Sequence, residues 1–264
     1  MSCSKLKLIC FSPTRTTRKV LDAIAEGIEA DSVEVIDVSR LESIPDTYEC
    51  ADDDLVIIGV PVYYGRVPVP AVKRFATLKG SGGAVVPVVV YGNRDYDDAL
   101  IELTDMTVRI GFTPIAAAAF IGEHSFSGPD TPIAANRPDE DDLAKARKFG
   151  RDLAERLNSI DLENAPSLDI PGNKPYKPLL NRPAAAPISV GECQLCGSCE
   201  KVCPADAIQV GTRVETDAMK CILCCACVKI CAFNARKMKL ERIIQAANTL
   251  SIDCAERKEP ELFT

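Results

Sequence analysis

Two runs of closely spaced cysteines are the clearest indication of a chemical function in the sequence. CQLCGSCEKVC begins at Cys193, and CILCCACVKIC begins at Cys221. Both runs have the spacing C-x2-C-x2-C-x3-C, and each cysteine of the first has a counterpart 28 residues later. Three thiolates from one tight loop and a fourth from elsewhere can hold the corners of a cubane iron–sulfur cluster. Two such runs therefore indicate two clusters.

The spacing resembles the signature of bacterial ferredoxins that carry two 4Fe-4S clusters. In those domains the fourth cysteine of each run binds the other cluster, so the resemblance implies two crossed ligand sets. One set is Cys193, Cys196, Cys199 and Cys231, and the other is Cys221, Cys224, Cys227 and Cys203. Proline follows the first run, as in that family, whereas Ala232 follows the second at a position that binds no metal.

Other uses of the cysteines have to be weighed against the clusters. The chain has 13 cysteines, an odd number without an export signal, which favours metal binding over a disulfide framework. A pair of zinc sites is an alternative, although zinc motifs usually pair C-x2-C units across longer gaps. We interpret Cys225, which lies beside the ligands, as a small buried side chain, and we interpret Cys3, Cys10, Cys50 and Cys254 in the same way.

The segment SPTRTT, residues 12–17, could hold a phosphate group. Hydroxyls and backbone amides at the start of a helix are suited to binding an anion. The pattern S-x-T-x-x-T at Ser12, Thr14 and Thr17 resembles the phosphate loop of flavodoxins, and Thr16 adds a fourth hydroxyl. Arg15 stands where that family usually has glycine. Either Arg15 merely tolerates a left-handed turn, or its guanidinium binds the phosphate.

Two later loops match the flavodoxin family in position: PVYYGRVP (61–68) after the third apolar strand, and YGNRDYDD (91–98) after the fourth. In flavodoxins these loops enclose the isoalloxazine ring of FMN. The resemblance implies that tyrosines stack on the ring, and that glycines and an asparagine let backbone amides approach it. Packing of the tyrosines in the core is the alternative interpretation. The implied binding residues of the two loops are Pro61, Val62, Tyr63, Tyr64, Gly65, Tyr91, Gly92, Asn93, Arg94 and Tyr96.

The only histidine, His124, follows the fifth predicted strand and should lie at the same edge of the sheet as these loops. One interpretation is a surface histidine with a local hydrogen bond. The other is a group that supplies protons to a redox centre or packs against it. The sequence leaves both interpretations open.

The predicted strands and helices that carry these candidate binding residues form two units. Residues 1–160 alternate short apolar runs with amphipathic stretches, a pattern typical of a parallel sheet covered by helices on both faces. Six prolines punctuate the segment 161–190, which we interpret as an extended linker. Residues 191–264 contain the cysteine runs and form the second unit. The five predicted strands are residues 6–12, 32–38, 54–61, 83–92 and 113–121.

Composition excludes several classes of function. A formal net charge of −7 argues against a nucleic-acid partner, because phosphate backbones are bound mainly by clustered Lys and Arg. No apolar run approaches the length needed to insert into a membrane, and MSCSKLKLIC lacks the apolar core of a secretory signal. We therefore expect a cytoplasmic protein.

Taken together, the chain resembles the fused flavodoxin and ferredoxin proteins of anaerobic bacteria and archaea. The resemblance implies a doubly wound, flavodoxin-like α/β domain with a five-stranded parallel sheet, followed by a small α+β ferredoxin-like domain. It also implies electron transfer between FMN, two 4Fe-4S clusters and a redox partner protein. One alternative is a flavin reductase that uses the clusters as its electron supply, and another is a flavin-free docking module that delivers a ferredoxin.

Overall fold

The computed structural model describes residues 5–40, 47–51, 54–179 and 183–264, so Cys3 and residues 180–182 of the predicted linker lie outside the described residues. The strands of the first unit are β1 (Lys5–Cys10), β2 (Ser32–Asp37), β3 (Tyr48–Glu49), β4 (Leu55–Pro61), β5 (Leu78–Lys79), β6 (Ala84–Tyr91), β7 (Thr113–Pro114) and β8 (Ala117–Ile121). Its helices are α1 (Thr16–Ile28), α2 (Val69–Phe75), α3 (Ala99–Arg109) and α4 (Glu140–Leu157).

The central sheet confirms the predicted fold class. Its main strands are parallel and lie in the order β2-β1-β4-β6-β8, the flavodoxin-like order of a doubly wound fold. All eight residues of β6 are buried, because helices cover both faces of the sheet. The buried apolar residues form one cluster on each face. This order brings the ends of β1 and β4 together at the switch point, where such folds bind ligands.

The fifth predicted strand differs from the prediction, because residues 113–121 are divided into β7 and β8. Thr113 of β7 pairs with Ala84 of β6, an offset of 29 residues, whereas Ala118 of β8 pairs with Val88, an offset of 30. One extra residue is therefore inserted opposite β6, which makes a β-bulge. Pro114, which has no N–H to donate, lies at this interruption.

The second unit repeats its backbone conformation as well as its cysteines. Its elements are β9 (Ile188–Ser189), α5 (Ser198–Lys201), β10 (Ile208–Val210), β11 (Val214–Thr216), α6 (Ala226–Lys229), β12 (Arg236–Lys237), α7 (Glu241–Asp253) and β13 (Glu261–Phe263). Left-handed residues occur in pairs 28 positions apart: Leu195 and Leu223, Gly197 and Cys225, Asp206 and Asn234. Cys225 is buried and takes the place of Gly197 before the second short helix.

The end of the chain returns to the first unit. Strand β13 pairs antiparallel with β8, with Glu261 opposite Ala119, and extends the sheet at its edge. The sequence analysis assigned residues 191–264 to the second unit and did not predict this strand. No helix in the described part of the chain is long and apolar enough to cross a membrane.

Candidate functional site

The structure gathers the eight cysteines of the two runs around two small cavities. Each cavity is lined by three cysteines of one run and the fourth cysteine of the other, the combination that the crossed assignment requires. The first cavity is lined by Cys203, Cys221, Cys224 and Cys227, and the second by Cys193, Cys196, Cys199 and Cys231. Cys225, a further cysteine of the second run, also lines the first cavity. No three His, Cys, Asp or Glu side chains among the described residues converge closely enough to hold a single metal ion.

Backbone amides donate hydrogen bonds to the last cysteine of each run. The Ala207 N–H donates to Cys203 Sγ at 3.3 Å, and the Ala235 N–H donates to Cys231 Sγ at 3.2 Å. These two contacts are again related by 28 residues. N–H donors favour the charged form of a thiolate, so both positions fit ligands of a cluster.

Arg236 adds a buried positive charge that the sequence analysis missed. Its Nη2 donates to Pro187 O at 2.8 Å and lies 3.9 Å from Cys227 Sγ. Its Nε is buried and has no hydrogen-bond partner among the described atoms. A cation beside these thiols stabilises negative charge on sulfur. No spacing in the sequence signals this contact, because Arg236 follows the second run without belonging to it.

Burial alone opposes ionisation of the most enclosed thiols. It raises the pKa of Cys224 well above its ordinary value and raises the pKa of Cys227 to about 11. Both groups would be protonated at neutral pH, whereas a cluster ligand is a thiolate. Iron at the centre of the cavity would supply the positive charge that these positions require.

A larger cavity of about 250 Å³ lies at the carboxyl ends of β1, β4, β6 and β8. It is lined by most of the residues that the sequence analysis assigned to FMN, and the second unit covers it. The predicted residues that line it are Thr14, Thr16, Thr17, Pro61, Val62, Tyr63, Tyr64, Tyr91, Gly92 and Arg94. Ile222 and Leu223 of the second cysteine run and Ala246 and Leu250 of α7 also line it. The sequence analysis missed these four residues, which resemble ordinary core positions in the sequence.

The phosphate-like loop has the left-handed turn that a glycine would favour. Arg15 has φ 64° and is the N-cap of α1, with its side chain exposed. Ser12 does not line the cavity, and its Oγ instead accepts the Arg18 N–H at 3.0 Å, which closes the loop. Thr17 Oγ1 is buried without a hydrogen-bond partner among the described atoms. An unpartnered hydroxyl at the start of a 13-residue helix fits an anion at this point.

A second cleft of about 670 Å³ continues outward from this loop. Thr14 and Thr16 line both spaces, and the cleft is also lined by Arg15, Arg18 and Lys19. The loop hydroxyls thus lie between an enclosed cavity and a basic opening to solvent. This arrangement suits a ligand with an apolar ring system and an anionic tail.

Besides Ser12 and Arg15 of the phosphate-like loop, three predicted residues of the two later loops do not line the cavity. Tyr96 is buried, and its hydroxyl donates to Glu261 Oε2 of β13 at 2.8 Å. The Asn93 side-chain amide donates to the carbonyls of Cys254 and Glu256 at 2.8 and 2.7 Å, so it holds the C-terminal segment. Gly65, with φ 76°, packs against Asp97, whose carboxylate would clash with any added Cβ. Tyr96 is therefore not placed to stack on a ring in the cavity. Asn93 likewise does not lie where its backbone amide would approach such a ring.

Tyr91 is more enclosed than a stacking face would be, whereas Tyr63 is half-buried and lines the cavity. Tyr91 lines the cavity but is only 2 % exposed, and its ring meets that of Tyr96 edge-on at 5.4 Å. Burial raises the pKa of Tyr63 well above its ordinary value, and Cys224 and Cys225 add to that shift. Tyr63 therefore lies between the large cavity and the second cysteine run.

His124 lines the large cavity as a neutral side chain. Its Nδ1 accepts the Phe126 N–H at 3.0 Å, which leaves the proton on Nε2. Burial lowers the pKa of His124 to about 4, and Lys229 and Arg94 contribute to the shift. Gly92 is needed for this packing, because a Cβ there would lie 2.3 Å from His124 Cδ2. His124 thus combines the local hydrogen bond of the first interpretation with a position beside the cavity, as in the second.

One comparison with known proteins matches a segment that contains the first cysteine run. Residues 186–209 match the family described as a 4Fe-4S binding domain, which implies one such cluster. No curated protein sequence matches the chain.

Among solved structures, a flavodoxin from the domain Archaea is 18% identical, with a TM-score of 0.41, and the match covers 58% of this chain and 99% of that one. Flavodoxin 1 from Bacillus cereus is 18% identical, with a TM-score of 0.40, and the match covers 60% of this chain and 100% of that one. An apo NADH:FMN oxidoreductase is 15% identical, with a TM-score of 0.41, and the match covers 61% of this chain and 94% of that one. The assignment of the fold rests on the strand order described above.

Proposed function

We propose that this chain, in which a flavodoxin-like fold is fused to a 4Fe-4S binding segment, is an electron carrier with one FMN and two 4Fe-4S clusters. The clusters pass single electrons, and the flavin exchanges one or two. The protein would supply the cavity for the flavin, the cysteine ligands of the clusters, and the order of these redox centres along the path of the electrons.

One observation carries the proposal. Ile222 lines both the large cavity and the cavity of Cys203, Cys221, Cys224 and Cys227. A cluster held by these four cysteines would be the one proximal to the flavin. Tyr63, which is close enough to Cys224 for the thiol to affect its pKa, lies at the same boundary.

The other four-cysteine cavity has no residue in common with the large cavity. Cys196 is exposed, and the neighbouring Leu195 and Phe233 are 41% and 47% exposed. An exposed apolar surface beside a metal centre suits a protein partner. We therefore propose this distal cluster as the exit to the redox partner.

The residues proposed to hold FMN are those that line the large cavity and its opening. Thr17 Oγ1 and the amides at the start of α1 would bind the phosphate, with Arg15 at the mouth of the cleft. Tyr63, Tyr64 and Val62 would contact the ring system. His124, neutral and fixed by its bond to Phe126, presents an N–H rather than a charge.

The contribution of the second unit to the cavity lining favours a carrier over a flavin reductase. A reductase needs space for a second molecule against the flavin ring, whereas here Ile222, Leu223, Ala246 and Leu250 occupy part of the surroundings of the cavity. A flavin-free docking module would not need an unpartnered threonine hydroxyl in the loop.

The cofactor content of anaerobically purified protein tests the proposal. We expect about eight iron, about eight acid-labile sulfide and about one FMN per chain. Stoichiometric zinc without sulfide would contradict the cluster assignment, and protein without flavin would support the docking module instead.

Alanine variants at three cysteines test the crossed ligand sets. Cys203→Ala should lose the cluster of Cys221, Cys224 and Cys227, so iron and sulfide fall to about four each. Cys231→Ala should lose the other cluster, which is distinguishable by its EPR spectrum. Cys225→Ala is the matched control: this cysteine is buried beside the ligands, and we expect both clusters to remain. Loss of the same cluster in Cys203→Ala and Cys231→Ala would contradict the crossed assignment.

A further inference from the structure

A groove of about 450 Å³ lies between the two units and shares the wall residues Tyr63, Tyr64 and Ile222 with the large cavity. One side is formed by the loop after β4 and the face of α2, and the other by segments 204–206 and 219–222. Grooves of about 300–1,000 Å³ at domain boundaries are typical small-molecule sites.

The groove concentrates exposed apolar side chains. Tyr64, Val69, Leu179 and Met219 are 41%, 44%, 58% and 77% exposed, and all four line it. Isolated exposed apolar residues are normal on a protein surface, but four around one concavity form a patch that favours an apolar ligand.

The charges that line the groove are predominantly positive. Arg66 is already paired with Glu102, at 2.7 and 2.8 Å, and buried Arg74 donates to three backbone carbonyls. Lys73 and Lys220 are exposed and form no ion pair within the described part of the chain. Asp206 is the only carboxylate among the lining residues, and its charge acts on Arg74. The two lysines therefore leave an uncompensated positive charge at an apolar groove.

We propose that this groove binds a small amphipathic anion, with an aromatic or alkyl body against Val69 and Met219 and a carboxylate or similar group held by Lys73 and Lys220. The ligand would lie against the segment that carries Cys221 and Ile222, beside the proximal cluster position and across Tyr64 from the flavin cavity. The inference is a new ligand site and does not rest on the identity of the cofactors.

Isothermal titration calorimetry with 1-naphthoate on the full-length, anaerobically purified protein tests the site. We expect saturable binding at one site per chain, and we expect the neutral isostere 1-naphthamide to bind about tenfold more weakly because it lacks the charge. The double variant Lys73→Gln/Lys220→Gln should weaken naphthoate binding by about fivefold to tenfold. The matched control Lys79→Gln/Lys239→Gln removes two exposed lysine charges outside the groove and should bind naphthoate like the wild type.

A second variant tests the location independently of charge. Val69→Trp places a large side chain in the groove at a position that is 44% exposed, so the fold should tolerate it while naphthoate binding is lost. Absence of saturable binding, equal affinity for the amide, or unchanged binding in Val69→Trp or the lysine double variant would overturn the proposal. Iron and flavin contents of the same preparations report separately on the proposed function.

Discussion

Arg15 occupies the turn at which the phosphate-like loop departs most from the flavodoxin pattern that it resembles. Its φ of 64° is costly for a side chain with a Cβ, by about 1–2 kcal/mol, and its exposed guanidinium lines the basic cleft. A residue that imposes this cost at the mouth of an anion site is expected to contribute to binding.

Replacing Arg15 with glycine should separate the conformational cost of the left-handed turn from the contribution of the guanidinium to anion binding. We expect Arg15→Gly to be more stable by about 1 kcal/mol, because the strain is relieved, yet to bind FMN about tenfold more weakly and with less salt dependence. Reconstitution titrations at low and high ionic strength measure both effects. Equal or tighter FMN binding by the variant would show that Arg15 only tolerates the turn.

His124 should make folding stability depend on pH. Its pKa is about 4 in the folded chain and about 6.5 when unfolded, so the unfolded state binds the proton first and stability falls as the pH drops below 6.5. Between pH 7 and pH 5 the wild type should lose about 1–2 kcal/mol more than His124→Gln, as measured by urea denaturation. Because the chain has one histidine, an NMR titration of its ring is unambiguous, and a midpoint near 6.5 would contradict this prediction.

At the scale of elements, the C-terminal segment holds the second unit over the large cavity. Helix α7 contributes Ala246 and Leu250 to the cavity, and β13 anchors the end of the chain to β8. Between them, Asn93 makes two bonds to carbonyls and its Oδ1 accepts the Lys258 N–H at 3.2 Å. Asn93 thus makes three of the bonds that hold the segment joining α7 to β13, beside those of Arg137 to Lys258 O and of Arg257 to Asp139.

Asn93→Gly keeps the left-handed turn, where φ is 63°, but removes these three side-chain bonds. We expect a loss of about 2–3 kcal/mol in the free energy of unfolding, and faster hydrogen exchange of residues 254–263. Asn136→Gly is the matched control, since Asn136 has φ 65° but is exposed. Unchanged exchange in Asn93→Gly would show that the other contacts of the segment, such as those of Arg137 and Arg257, and the pairing of β13 hold it without Asn93.

At the scale of the whole molecule, buried Arg74 connects the two units. Its guanidinium donates to Val38 O and Ser39 O of the first unit and, at 2.6 Å, to Pro204 O of the second. It also lies 5.6 Å from the centre of the Phe11 ring. Pro204 directly follows the cysteine that completes the proximal set, so this contact sets the position of that set against the sheet.

Arg74→Met should leave three carbonyls without their donor and destabilise the protein by about 3 kcal/mol or more. We expect iron and flavin contents to persist while electrons move more slowly from photoreduced flavin to the clusters, as measured by flash photolysis. Arg242→Met is the control: Arg242 also donates to two carbonyls, but it is exposed and joins α7 to residues 183 and 184 of the linker rather than to the central sheet. An unchanged rate in Arg74→Met would contradict a role for Arg74 in docking the units.

The main parallel strands of the central sheet and the cysteine repeat were predictable from the sequence, whereas the division of the fifth predicted strand was not. These features are local: an apolar run buried on both faces is recognisable within eight residues, and a C-x2-C-x2-C-x3-C loop spans eleven. The left-handed conformation of Arg15 agrees with the resemblance of this segment to the flavodoxin loop, which usually has glycine at that position.

In contrast, the tertiary structure was needed to show which residues face the large cavity and which segments of the chain cover it. Tyr96 bonds to Glu261 across 165 residues, and Asn93 bonds to Cys254 across 161, so neither placement leaves a trace in local spacing. The same holds for β13, a three-residue strand whose identity depends on the exposed edge of β8. The proximal position of the Cys203 set likewise depends on how two units pack, and packing between distant segments is determined by shape and burial rather than by sequence periodicity.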